Sequence, residues 1–391
     1  MGRRPRRVAR ALLLAAAVAI ACTAGSGVRA AQAGAGALGS GWFPTDWVRS
    51  VHNPVFTFSP AAGDSYTDRI FPSVMRVDDK ISGALDRWYM WYWRHGLDDT
   101  DAHGGRMGLL TAPTLDGPWT DRGFVTTAPL LPPSNPGYWQ TGGDVVWSPT
   151  YQKFYAVPHT VPMDTYLLES SDGVNWSVSS TTPILSTGPG AYDAKETGYG
   201  RLIRAPGATE SWIWLYRSGA YCSGCSNNAE YYTLSVATAN DIHGPWTKDP
   251  ANPVYDPYRG HVNQGSQGAL IGIATFVRYD GYYQLMWSES LGNAYLTRST
   301  DLHTWEDYAS ASAPGGAPFG QDFPVAAQFS PGGAPGEVVI DGYTSVWDDQ
   351  NSAWALIYFG WDAANLLDEP GVPGHVTVNV ARSATGGTPP G

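Results

Sequence analysis

A tryptophan-centred phrase that returns four times is the strongest constraint on how this chain folds. It reads Asp116-Gly117-Pro118-Trp119, Asp172-Gly173-Val174-Asn175-Trp176, His243-Gly244-Pro245-Trp246 and Leu302-His303-Thr304-Trp305, with successive tryptophans 57, 70 and 59 residues apart. Recurrence of one phrase at near-constant spacing marks a repeat architecture, in which each unit buries its apolar surface against its neighbours. Strand-like runs precede the phrases at Arg106–Thr111, Tyr166–Ser170, Tyr231–Ala237 and Ala294–Ser299. Aromatic runs come earlier in each unit, at Trp88–Trp93, Lys153–Pro158, Trp212–Arg217 and Tyr282–Ser288. A fifth aromatic run, Ala353–Trp361, lacks the phrase. Each unit thus reads as strand, turn, aromatic strand, loop, strand, tryptophan turn, strand. That is a propeller blade, so the expectation is an all-β, five-bladed β-propeller with four antiparallel strands per blade. A β-sandwich would not repeat a turn phrase at blade spacing.

Composition narrows the function classes. An aromatic content of 13% and a hydrophobic content of 43% exclude a disordered chain. A formal net charge of -11 argues against a nucleic-acid partner, because an acidic surface repels phosphate. Three cysteines are too few for a disulfide scaffold.

The N-terminus reads as an address. Arg3, Arg4, Arg6, Arg7 and Arg10 precede an apolar run from Ala11 to Ala21, and small residues follow, with cleavage-like ends at Val28-Arg29-Ala30 and Ala31-Gln32-Ala33. This is the order of a secretory signal. The run falls short of the roughly 20 residues that span a bilayer, so no membrane span is expected. Residues 1–33 are assigned to the signal and 34–391 to one catalytic domain, a secreted monomer. Twin-arginine export and lipoprotein anchoring at Cys22, in Ala19-Ile20-Ala21-Cys22, stay open as variants. The mature chain keeps Cys222 and Cys225, whose spacing in an oxidising compartment suggests a small loop-closing disulfide.

The segments around Asp68–Arg94 and Gly142–Val157 (the latter reading GGDVVWSPTYQKFYAV) resemble blade openings of the five-bladed furanosidase-type glycoside hydrolases. The likeness is to glycoside hydrolase family 43, with family 32 and the neoagarobiose hydrolases of family 117 as cousins, and it spans the mature chain. It implies three acidic residues at the pocket ends of the innermost strands, serving as base or nucleophile, pKa modulator and general acid. The match is imperfect. Phe71 stands where the family-43 opening has Asp, and the blade-four run from His261 to Gly268 holds no carboxylate. Family 117 uses a histidine as the blade-four acid, which makes His261 a possible analogue.

Blade geometry adds a filter, since an inner strand begins, and the second strand ends, at the pocket face. Matching Ser73-Val74-Met75-Arg76 to Arg201-Leu202-Ile203-Arg204 makes Asp68 and Glu196 equivalent, with Asp144 slightly deeper. Gathered carboxylates shift one another's pKa values, as the acid/base pair of glycoside hydrolysis requires. The resulting assignment is Asp68 as general base, Glu196 as general acid and Asp144 as modulator, with Asp193, His261 and Asp322 as further candidates. Trp42, Trp139, Tyr199 and Trp361 are candidates for stacking on sugar rings, and Arg201 and Gln264 for bonding hydroxyls. The alternative at each acidic position is a turn-capping residue.

The chain is therefore expected to take a carbohydrate substrate, with arabinofuranosides or xylosides first. No organic cofactor and no catalytic metal are expected, and a structural Ca²⁺ near the axis stays open. A carbohydrate-binding propeller without catalysis and a polysaccharide lyase are the competing readings.

Overall fold

The computed structural model describes residues 41–44, 47–58, 69–94, 106–126, 143–159, 164–207, 210–221, 230–256, 271–289, 293–308, 337–362 and 376–384. Two short strands come first, β1 (Trp47–Arg49) and β2 (Phe56–Thr57). Blade one is β3 (Arg69–Arg76), β4 (Trp88–Arg94), β5 (Arg106–Ala112) and β6 (Thr120–Phe124). Blade two is β7 (Val145–Ser148), β8 (Lys153–Ala156), β9 (Leu168–Ser170) and β10 (Ser177–Val178). Blade three is β11 (Glu196–Arg204), β12 (Trp212–Tyr221), β13 (Glu230–Ala239) and β14 (Thr247–Lys248). Blade four is β15 (Ile271–Tyr279), β16 (Tyr282–Glu289), β17 (Asn293–Ser299) and β18 (Trp305–Asp307). Blade five holds β19 (Glu337–Asp348), β20 (Ala353–Asp362) and β21 (Val376–Ser383). Neighbouring strands within each blade are antiparallel, and the expected five-bladed propeller is what forms.

The fifth blade takes its outer strand from the other end of the chain. Trp47 pairs with Ser383 and Arg49 with Ala381, so β1 completes the sheet that β19, β20 and β21 begin. This explains why the fifth repeat lacks a tryptophan phrase: its fourth strand does not follow in sequence. Phe43, ahead of β1, and Trp47, its first residue, are buried in the seam between blades four and five.

Five apolar clusters make the core, one at each seam between blades. Strand β4 shows why its run from Trp88 to Trp93 is apolar or aromatic at every position. Trp88, Met90 and Tyr92 face blade five, whereas Tyr89, Trp91 and Trp93 face blade two. Period-2 alternation sends successive side chains to opposite faces, and in a propeller both faces of a middle strand are covered.

The tryptophan phrase is a self-closing turn that latches onto the preceding blade. Each indole N–H donates to a carbonyl of its own turn: Trp119 to Leu115 (3.0 Å), Trp176 to Gly173 (3.1 Å), Trp246 to Ile242 (3.0 Å) and Trp305 to Leu302 (3.0 Å). The turn of blade one then reaches blade five through Asp116, which accepts from Arg382 and from Ser50. The turn of blade two offers the Gly173 carbonyl to the Trp91 indole at 2.7 Å. In blade three, His243 sits edge-on to Tyr151 and Tyr155 of blade two. In blade four, His303 Nε2 lies 2.9 Å from Asp249 of blade three.

Candidate functional site

The innermost strands converge on a cavity of about 160 Å³, lined among others by Ser73, Asp144, Arg201, Thr275, Thr344 and Ser345. Asp144 and Arg201 dominate it. The Asp144 Oδ1 accepts from Ser73 Oγ (2.8 Å) and Arg201 Nη1 (3.1 Å), and Oδ2 accepts from the Leu202 N–H (3.1 Å). Arg201 donates onward, from Nε to the Ile273 carbonyl at 3.2 Å and from Nη1 to the Pro72 carbonyl at 3.3 Å. Blades one to four are thereby tied together at the axis by one ion pair, with Arg201 buried and Asp144 nearly so. Both carboxylate oxygens accept hydrogen bonds within the protein, so this geometry suits Asp144 to holding the ring and Arg201 to the same task.

A second acidic position lies further up β11. In blades one, three, four and five the inner strand carries a register shift, between Ile70 and Ser73, Gly198 and Arg201, Ile273 and Thr275, and Val339 and Tyr343. The shifts in blades one and three confirm the alignment of Ser73 with Arg201. Glu196 begins β11 and is 2% exposed. Its Oε1 accepts from Arg217 Nε at 2.5 Å. Arg217 stands on β12 opposite Gly198, and its guanidinium lies 4.0 Å from the Tyr199 ring and 4.5 Å from the Tyr232 ring. The Tyr199 ring also meets His159, three residues past the end of β8 in blade two, with ring centroids 4.1 Å apart. Beside them, burial draws the Lys195 amine below the usual lysine range, and the Glu196 charge opposes that shift.

Asp144 and Glu196 do not come together. Asp144 is level with Leu202, whose β12 partner Trp214 is five positions from Gly219, the partner of Glu196, which is roughly 16 Å along an extended strand. Asp193 is buried and ion-paired with Lys248 of the outermost strand β14, whose Nζ also donates to the Ser186 carbonyl at 2.6 Å. Its charge therefore ties the loop entering blade three to the blade's outer edge. Trp361 lies in β20, opposite Val338 and Val376. Trp42 packs on Arg298 (4.0 Å) and edge-on to Tyr308 (5.2 Å) at the seam of blades four and five. Asp68, Trp139, Cys222, Cys225, His261, Gln264 and Asp322 lie outside the described residues.

Arg217 is the residue that sequence reading passed over. It closes the aromatic run Trp212–Arg217, but nothing in that run gives a reason to pair it with Glu196. That pairing follows from the β11–β12 register, in which Glu196 faces Gly219 and Gly198 faces Arg217.

The described lining of the axial cavity does not fit a Ca²⁺ ion. Calcium takes six to eight oxygen ligands, several usually anionic, and here the one carboxylate is already matched by a guanidinium. Among the described residues no group of three or more His, Cys, Asp or Glu is placed to hold a metal. No described helix is long and apolar enough to cross a membrane.

No protein-family model matches the chain, and neither does any curated protein. Solved structures do. A family 117 glycoside hydrolase from the marine bacterium Zobellia galactanivorans superposes with a TM-score of 0.51 at 16% identity, covering 84% of this chain and 91% of its own. An endo-1,4-beta-xylanase from Bacteroides thetaiotaomicron gives 0.52 at 15% identity, covering 84% and 95%. A structure described as a glycoside hydrolase gives 0.53 at 14% identity, covering 88% and 92%. The five-bladed propeller is thus the fold that this chain shares with these structures.

Proposed function

We propose that the protein is a secreted glycoside hydrolase acting on a plant, algal or microbial-wall glycan, with arabinofuranoside or xyloside linkages the first expectation. The observation that carries the reading is the buried Glu196–Arg217 pair at the opening end of an inner strand, walled by Tyr199 and His159. Structural likeness to glycoside hydrolases supports the class by analogy of fold.

Glycoside hydrolysis passes through a cation-like sugar, so a fixed negative charge stabilises the transition state while a separate acid and base move protons. Glu196 suits the first role. Its Oε1 is committed to a guanidinium, whereas an acid must bring its proton to the leaving oxygen. The general acid then falls to His261 or Asp322 and the base to Asp68. Residues 1–33 would be removed on export, and Cys222 and Cys225, which follow β12 in the connection to β13, would close a disulfide.

Product release tests the reading. Mature protein is incubated with arabinan, xylan, galactan, fructan and agar oligosaccharides, beside Glu196→Gln and Asp68→Asn. Saccharide release that falls at least a hundredfold in both variants supports it. Silence across the panel, with tight binding of one glycan, establishes a carbohydrate-binding propeller instead. Products absorbing in the unsaturated-uronate band would make it a lyase.

A further inference from the structure

Five non-glycine residues among those described have positive φ: Gln152, Tyr199, Asp280, Leu302 and Ser352. Four of them sit in turns between strands. Tyr199, at φ 49°, is inside β11, at the register shift between Gly198 and Arg201. A bulky residue in the left-handed region is strained and persists only where its surroundings over-determine it. Here the return for that strain is visible. The left-handed turn sets the Tyr199 ring between His159 of blade two, 4.1 Å away, and the Arg217 guanidinium, 4.0 Å away.

The flanking glycines make the arrangement sterically possible. A Cβ on Gly198 would stand 2.9 Å from His159 Cγ, and one on Gly200 would stand 2.4 Å from the Leu215 carbonyl oxygen. Gly219 serves Glu196 in the same way, since a Cβ there would be 2.9 Å from the Glu196 Cβ. Four groups from two blades are therefore in contact in sequence: His159, Tyr199, Arg217 and Tyr232. With two rings packed against it, the guanidinium has little room to turn, and its Nε–H donates to Glu196.

We propose that Tyr199 and Arg217 are positioning residues: the strained bulge clamps the guanidinium so that the Glu196 carboxylate is held at one place in the mouth of the propeller. The inference rests on the hydrolase reading for its catalytic consequence, but the clamp itself can be observed without any substrate.

The test uses the full mature chain and three variants, Tyr199→Phe, Tyr199→Asn and Arg217→Lys. Asparagine tolerates the left-handed backbone while removing the ring, and phenylalanine keeps the ring while losing the hydroxyl. The first readout is the ¹⁵N–¹H signal of the Arg217 side-chain Nε–H, assigned by its loss in Arg217→Lys. In wild type it exchanges slowly with solvent, by at least a hundredfold against a surface arginine, and Tyr199→Phe retains most of that protection. In Tyr199→Asn protection falls at least tenfold. Unchanged protection in a folded Tyr199→Asn overturns the proposal. Should that variant fail to fold, Tyr232→Leu removes the second ring from the guanidinium and is held to the same criterion.

The second readout is kinetic. Positioning predicts that Tyr199→Asn lowers kcat at least tenfold with KM within about twofold, displaces the pH profile, and is rescued largely by phenylalanine. A raised KM with kcat kept would assign Tyr199 to sugar stacking and overturn the positioning role. If wild type cleaves no glycan, the hydrolase reading fails while the exchange measurement still decides whether the clamp exists.

Discussion

Asp144 and Arg201 meet 3.1 Å apart at the propeller axis, one from the opening of blade two and the other from the inner strand of blade three. Ser73 of blade one and the Ile273 carbonyl of blade four are bonded to the same pair. A carboxylate first read as a catalytic modulator is therefore built into the joint that holds the blades.

Asp144→Ala should lower stability by about 3–5 kcal/mol, because it strands a buried guanidinium and a buried serine hydroxyl. Urea unfolding of the substrate-free protein measures this. A variant as stable as wild type would return Asp144 to a purely chemical role.

Removing residues 41–49 should abolish the folded monomer. The deletion takes away buried Phe43 and Trp47 and leaves the Ala381–Ser383 end of β21 an open sheet edge. Each lost aromatic costs about 3–5 kcal/mol, and together they approach the whole stability of a typical domain. Size-exclusion chromatography and near-ultraviolet circular dichroism report the outcome, and a native monomer of unchanged melting temperature would contradict it.

Trp119→Phe should cost about 1–3 kcal/mol, since the phenyl ring leaves the Leu115 carbonyl without its indole donor and underfills the seam with blade five. The equivalent change at half-buried Trp305 should cost less. Thermal denaturation of both variants checks the order; equal losses would mean the turns are not graded by burial.

Acid should unfold the protein through its latches. Burial works against the Asp116 carboxylate, but bonds from Arg382 and Ser50 outweigh it and hold the pKa below the ordinary aspartate value. Backbone amides of Thr304 and His303 hold Asp301 low as well, and Asp172 is lowered by the Asn175 and Val174 amides despite some burial. A group with a depressed folded pKa contributes stability that is complete above its unfolded pKa and lost as pH falls through the folded one. The urea midpoint should thus be insensitive to these groups above about pH 5 and fall steadily below about pH 4. The decline should be shallower in Asp116→Asn, and a midpoint unchanged down to pH 3 would refute the account.

The blades were legible because their signals are local. Aromatic runs, tryptophan turns and their spacing depend on residues a few positions apart, and the strands form where those runs stand. Even the alignment of Ser73 with Arg201 rested on a short pattern, which the matching register shifts bear out. The site was legible only as a set of positions. Nothing near Asp144, Asp193 or Glu196 in the chain distinguishes a carboxylate destined for Arg201, Lys248 or Arg217, since two of these partners lie more than fifty residues away.

What the sequence determined by itself was the repeat, the strand count and the burial of both faces of the middle strands. Closure of the ring decided the rest. Only when five sheets meet around one axis does an N-terminal strand find β21, do Asp144 and Arg201 neutralise each other, and does Tyr199 reach both His159 and Arg217. The physical reason is that a buried charge takes whichever counter-charge and donors the tertiary packing delivers, and that delivery crosses blades which the local pattern treats as separate.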